Sequence, residues 1–300
     1  MGRMASVGEK TFRFGVNLVQ PGPRDEWVAK CRRVEELGYD VLSVADHLGI
    51  APPFPALVLA GAVTERVRLN TFVLNAPFYN PVLLARDVAG TDQFVSGRLE
   101  LGLGAGYVKA EFEAAGMPFP SAGARVDHLE LAIKELARLY ADPEYAPKPV
   151  QSGGPPLMIG GRGDRLLSLA AEHAATIAFS GMAKVRDGAP LMLATADAVE
   201  ERTRFVTERL AGREAEFNLL VQFVQITDDR ESALREIHAR LSDTLTLDEL
   251  AEVPTVLVGT VEEIAEQLVA HRARFGFSYF TVLEPNLEVL APVVELLCRR

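Results

Sequence analysis

Cysteine is scarce in this chain. Two residues, Cys31 and Cys298, stand near opposite ends of 300. They cannot form a disulfide framework, and no pair of histidines has metal-ligand spacing. The expectation is a reduced, cytoplasmic compartment and no metal. No apolar stretch reaches membrane-spanning length, and Met1–Thr11 is too polar for a signal peptide. It is expected to be a disordered tail ahead of one domain, 12–300. Positive charge is also in short supply: 31 Lys and Arg against 41 Asp and Glu, a formal net charge of −10. No basic patch stands out, which argues against nucleic acid or an anionic membrane as partner. A small anion held in a local pocket stays possible.

Several catalytic signatures are missing as well: no Walker loop, no nucleophile elbow, no zinc motif. The dinucleotide fingerprint fails by one residue. Gly102, Gly104 and Gly106 end an apolar strand, but the pattern needs glycine at 107, where Tyr107 stands. Glycine that dense at a strand end means that something approaches the backbone closely.

What is present is an ordinary core-forming composition, 48% hydrophobic and 24% charged, and a regular alternation of strand-like and helix-like segments. Strands are expected at Phe12–Leu18, Val41–Ala45, Val67–Leu74, Arg98–Leu103, Leu157–Ile159, Thr176–Phe179, Leu219–Ile226 and Ser278–Leu283. Helices are expected between them, among them Asp25–Leu37 stopping at Gly38, Pro81–Phe94, Arg125–Tyr140, Asp164–His173 and Leu287–Cys298. Asp197–Glu200 and Thr260–Glu263 have capping-box form. Tyr107–Gly123 reads as a long connection. Eight short apolar strands, nearly all followed by a helix, give α/β class and a (β/α)8 TIM barrel with insertions. A doubly wound sheet would carry about five to seven strands and a fingerprint at the first. The first strand here exits at Asn17–Pro21 without one.

A TIM barrel puts its chemistry at the C-terminal ends of the strands. Asp46-His47 follows the second strand. It reads equally as a loop pair held by neighbours or as an acid beside a proton-transfer residue. Phe72–Pro81 clusters aromatics, asparagines and prolines. It is either turn chemistry or a wall for a planar ring, with Asn75 bonding the ring edge. Gly160-Gly161-Arg162-Gly163 precedes a helix start, where backbone N–H groups and Arg162 can hold an anion; a tight turn is the other reading. Ser180 can join the same site. Glu100, Gln222, Gln225 and Glu284 lie in or beside apolar strands, and strand parity decides whether they face the pocket. A glycine-rich lip, a ring wall and an anion loop suit a phosphate-bearing planar cofactor.

The chain resembles the luciferase-like monooxygenase superfamily, and more closely its class that uses the deazaflavin F420. The marks are Ser43–His47, Leu69–Asn75 leading into Asn80-Pro81, Gly97–Gly106, Gly160-Gly161 and Leu257–Glu263. The resemblance covers nearly all of the chain after the tail. It implies a TIM barrel with the cofactor ring at its C-terminal mouth. Asp46 would contact that cofactor, and His47 would act as acid/base or orient the substrate. A non-proline cis peptide would fall at Phe72–Val73, packed against the ring. Asn75 would bind the ring edge or side chain, Ala105 and Gly106 would line the cofactor path, and Gly160, Gly161 and Arg162 would meet its phosphate, with Gly163 and Ser180 beside them. Some F420-dependent sugar-phosphate dehydrogenases carry glutamate directly after the glycine run. Here Tyr107 stands there, with Glu111 one turn on, so their catalytic arrangement does not transfer. Tyr107 either donates a hydrogen bond or caps the pocket. The implied function is hydride transfer between F420 and a small-molecule substrate, in a homodimer. The alternatives are an FMN-dependent monooxygenase fed by a flavin reductase, and a barrel that binds a ligand without catalysis.

Overall fold

The computed structural model describes residues 12–20, 22–183, 192–241 and 245–298; the tail expected over Met1–Thr11 lies outside these. The apolar runs form β1 (Arg13–Leu18), β2 (Val41–Val44), β3 (Arg68–Thr71), β4 (Leu74–Asn75), β5 (Leu99–Gly104), β6 (Leu157–Gly160), β7 (Thr176–Phe179), β8 (Glu216–Val221), β9 (Phe223–Ile226), β10 (Val256–Gly259) and β11 (Phe277–Leu283). With β3 and β4 as one interrupted stave, eight parallel staves close into a barrel: β11 pairs with β8 on one side and with β1 on the other, Phe14 opposite Phe280.

Around the barrel run α1 (Arg24–Glu36), α2 (Pro53–Val63), α3 (Pro81–Phe94), α4 (Lys109–Ala114), α5 (Ala122–Ala141), α6 (Asp164–His173), α7 (Ala196–Arg209), α8 (Arg230–Arg240), α9 (Leu247–Glu252), α10 (Val261–Phe275) and α11 (Leu287–Cys298). None of the described helices is long and apolar enough to cross a membrane. Strand alternation sorts the residues. Phe14, Val16 and Leu18 join the core shared with the helices. Val41, Met158, Ala178 and Tyr279 form a second cluster inside the barrel, with Phe72 and Val73 packed on it. On the helix side, Val126, Leu129, Ile133, Leu136 and Tyr140 of α5 are buried at helical spacing.

Helix ends follow the local chemistry. Thr260 and Glu263 make the expected capping box at α10, which stops at Gly276, φ 82°. At α7 the cap is Thr195, whose side chain accepts from the Ala198 N–H, and not Asp197. Glu200 is drawn to Arg274 at 2.7 Å and does not fold back to cap the helix.

Two strands depart from the sequence expectation. Leu219–Ile226 is not one stave. After Val221 the N–H groups of Gln222 and Phe223 both donate to the Thr255 carbonyl, at 2.9 and 3.1 Å. The chain thereby leaves the barrel, and β9 pairs in parallel with β10. β10 itself was not expected as a strand. It packs with Leu234, Ile237, Leu250 and Val253 into a small separate core.

The third stave breaks at Phe72–Val73, whose peptide is cis at the position that the resemblance implies. Asn70 lies opposite Glu100 and Leu74 opposite Leu103, so the stave carries one extra residue, a bulge. This bulge accounts for the glycines of β5. A Cβ on Gly102 would lie 1.8 Å from the Thr71 carbonyl oxygen, and one on Gly104 would lie 2.7 Å from the Val73 side chain. What approaches that backbone is the neighbouring stave.

Candidate active site at the barrel mouth

Asp46 and His47 follow β2 and turn to different partners. The Asp46 carboxylate accepts from the Asn75 N–H at 2.9 Å and from the Tyr79 hydroxyl at 3.1 Å. Burial raises the Asp46 carboxyl above its ordinary range, and these two hydrogen bonds oppose the rise. Burial, reinforced by Asp46, raises the Tyr79 phenol as well. Asp46 thus ties the second stave to the turn after the third. His47 reaches across the mouth instead, with Nδ1 2.7 Å from Glu111 of α4. A carboxylate only accepts, so a neutral ring bonded to it carries its proton on Nδ1 and has Nε2 as its acceptor. Tyr107 sets its ring edge-on to His47, centroids 6.1 Å apart, and is 65% exposed. Burial, then Glu111, raises the Tyr107 phenol, and Arg162 works against them.

Asn75 lies beneath this group. Its side chain is buried against Gly106, where a Cβ would meet the Asn75 Oδ1 at 2.2 Å. Gly106 itself has φ 69°. Its carbonyl accepts from Arg125 Nε at 3.1 Å, which pins the turn after Ala105. The Asn75 Oδ1 is buried without a hydrogen-bond partner among the described residues. A buried acceptor left unpaired is costly. The edge of a flavin or deazaflavin ring carries an N–H donor, so this acceptor fits such a group.

The loop after β6 is built tightly. A Cβ on Gly161 would lie 2.5 Å from Leu166 of α6, and one on Gly160 would touch Val73 of the bulge. Gly163 caps α6, and Asp164 occupies the helix's first turn. Arg162 donates to the Ala183 carbonyl, and Ser180 Oγ accepts from the Met182 N–H at 3.4 Å.

Two of the inward-facing candidates have other work. Glu100 belongs to the opposite end of the barrel. Its carboxylate accepts from Arg13 at 2.8 Å and from Arg68, and Arg13 also meets Glu216 at 2.5 Å. Glu284 is at the mouth but accepts from the Val19 and Gln20 N–H groups, each at 2.9 Å, and pairs with Lys30. Gln222 sits where the chain leaves the barrel, and Gln225 lies in β9, outside it. The structure therefore gathers Asp46, His47, Asn75, Gly106 and Tyr107. It gives Tyr79, an aromatic of the Phe72–Pro81 cluster, Asp46 as its partner, and adds Glu111 and Arg125, which sequence reasoning did not place in the site. Only their spacing from the glycine run hinted at them.

The sequence model of one family, luciferase-like monooxygenase, matches residues 10–253. The chain belongs to the luciferase-like monooxygenase family. One relative is the oxygenase component of a flavin-dependent trigonelline monooxygenase from Acinetobacter baylyi, 31% identical over 46% of this chain and 43% of that protein. Another is an F420-dependent glucose-6-phosphate dehydrogenase from Intrasporangium calvum, 36% identical over 41% of this chain and 40% of that protein. The chain thus spans less than half the length of the curated relatives it matches. Among solved structures, this luciferase-like barrel is similar to an F420-dependent secondary alcohol dehydrogenase in complex with an F420-acetone adduct. The TM-score is 0.72 at 17% identity, over 96% of this chain and 98% of that one. EDTA monooxygenase from Chelativorans sp. BNC1 gives a TM-score of 0.74 at 14% identity, over 97% and 94%. At these identities the likeness is one of fold.

Proposed function

We propose that this luciferase-like barrel is an F420-dependent oxidoreductase that transfers a hydride between the deazaflavin and a small organic substrate at the C-terminal mouth. The observation that carries the reading is His47, held through Nδ1 so that Nε2 is free, in the mouth that also holds the unpaired Asn75 acceptor. Once bound, the deazaflavin supplies the hydride chemistry. The protein's residues bind, orient and move a proton. Asn75 accepts from the ring edge, with Asp46 beside it, and Phe72 and Val73 back the ring. Ala105 and Gly106 line its path. Gly160, Gly161 and Gly163, with Arg162 and Ser180, meet the phosphate. His47 Nε2 takes the substrate hydroxyl proton when the adjacent carbon gives up its hydride, and returns it in the reverse direction. Tyr107 covers His47 from the solvent side.

The F420-dependent relatives, at 36% and 33% identity, support this cofactor. A second reading, an FMN-dependent monooxygenase working with a flavin reductase, is favoured by the relative from Acinetobacter baylyi. A titration separates the two. Purified protein is mixed with F420 and, separately, with FMN, and the ring fluorescence is followed. Tight F420 binding without FMN binding is expected. The reverse result replaces the first reading with the second, and binding of neither leaves a barrel without this catalysis. A homodimer belongs to the proposal, because Val82, Leu83 and Phe94 of α3 expose apolar surface that a second copy would cover. Sedimentation would report it.

A further inference from the structure

We propose that Glu111 is the positioning residue for His47 and acts on the reaction only through that imidazole; this rests on the reading of His47 as the proton-handling residue. The neighbour in sequence, Asp46, does not do this work. Its bonded oxygen is taken by the Asn75 N–H and the Tyr79 hydroxyl. The partner of His47 comes instead from 64 residues away, on a six-residue helix.

The roll of that helix is fixed by packing. Phe112 is fully buried, with its ring 4.9 Å from that of Phe78 and 5.1 Å from that of Phe119. Lys109 and Glu113 pair with each other on the exposed side at 3.2 Å. Glu111 is left facing the mouth, its side chain only 14% exposed. Among the described residues His47 is the one side chain that bonds it, at 2.7 Å. Among the described residues no Lys or Arg pairs with this carboxylate, and a carboxylate drawn out of water needs compensation. The Nδ1–H of His47 supplies that compensation.

Two consequences follow for the chemistry. The Nδ1–H donates to Glu111, so the neutral ring has a single tautomer with its base at Nε2. When Nε2 takes the hydroxyl proton of the substrate, the positive charge on the ring forms against a carboxylate already in place. The proton goes back by the same atom, and Glu111 itself neither gains nor loses one.

The tautomer can be read without any cofactor. Long-range proton–nitrogen NMR of the wild-type protein should show the neutral His47 ring protonated at Nδ1. In Glu111→Ala the ring should move to the Nε2-protonated form that unconstrained histidine favours. An Nε2-protonated wild type overturns the proposal even if no variant folds. Kinetics give the second arm. Glu111→Gln, of nearly equal volume, should lower kcat by roughly 100-fold or more, with KM and cofactor affinity within about threefold. Added to His47→Ala, it should cost less than about twofold further, because two residues acting as one unit are not additive. Additive losses, or an unchanged kcat, overturn it. If the protein binds neither F420 nor FMN, the proposed function fails, and the tautomer still decides the pairing.

Discussion

At the scale of single residues, the site is organised by which carboxylate meets which hydrogen. Asp46 serves a backbone N–H and a phenol, and Glu111 serves the imidazole. If the proposed function is right, His47→Ala should lower turnover by about 100- to 10,000-fold while leaving cofactor affinity intact, because in that proposal the ring moves a proton and does not hold the cofactor. Steady-state kinetics beside a fluorescence titration would show it, and equal losses in both would reassign His47 to binding. Arg162→Ala should weaken cofactor binding by about 1.5–3 kcal/mol if its guanidinium meets the phosphate. Wild-type affinity in that variant would leave Arg162 as the clamp on the Ala183 carbonyl that the structure describes. The type of residue at 46 and 47 was legible in the sequence, but the partners were not. Glu111 sits in a helix of six residues, too short to leave a periodic signal, inside what reads as a long connection.

At the scale of elements, the bulge between β3 and β4 decides the shape of the mouth, and β5 makes room for it. The sequence shows glycines at 102 and 104 but not what they avoid. A ligand and a neighbouring strand leave the same trace in composition. Gly102→Ala tests the second account. Its Cβ would fall 1.8 Å from a backbone oxygen that cannot swing aside, so a loss of about 3 kcal/mol or more is expected in urea unfolding. Gly90 of α3 is the control. Nothing lies within 4 Å of a Cβ there, and Gly90→Ala should stabilise by about 0.5–1 kcal/mol. A Gly102→Ala protein as stable as the wild type would return the glycine to a ligand role. The departure of β9 from the barrel has the same character. LLVQFVQI has the run and composition of one strand, and only the competition for the Thr255 carbonyl splits it.

At the scale of the whole molecule, the two ends of the barrel carry different chemistry. The end away from the site is closed by Arg13, Arg68, Glu100 and Glu216, a group in which each charge has an opposite neighbour. Stability also acquires a pH dependence from the outer layer. Burial, with a contribution from Arg274, lowers the pKa of His271 from 6.5 to about 4, and its Nδ1 is buried without a partner among the described residues. The unfolded chain takes up a proton there that the folded one refuses. The contribution is complete above about pH 6.5 and is lost as the pH falls toward 4, an effect of about 2–4 kcal/mol. Urea midpoints measured across that window should fall less steeply for His271→Leu than for the wild type. Parallel slopes would show that other groups carry the acid sensitivity.

The sequence alone determined the barrel. Eight short apolar strands separated by amphipathic helices have few ways to bury both faces, and that information is local and periodic. It also marked the mouth, because the candidate residues at 46, 75, 106 and 160 stand at or just after strand ends. The tertiary structure decided the rest: that Asp46 turns away from His47, that Glu111 comes to it across the mouth, that Glu100 belongs to the far end, and that the glycines yield to a bulge. Those are contacts between residues far apart in the chain. Their geometry depends on strand register and helix roll, which the packing of the complete barrel sets and no local pattern records.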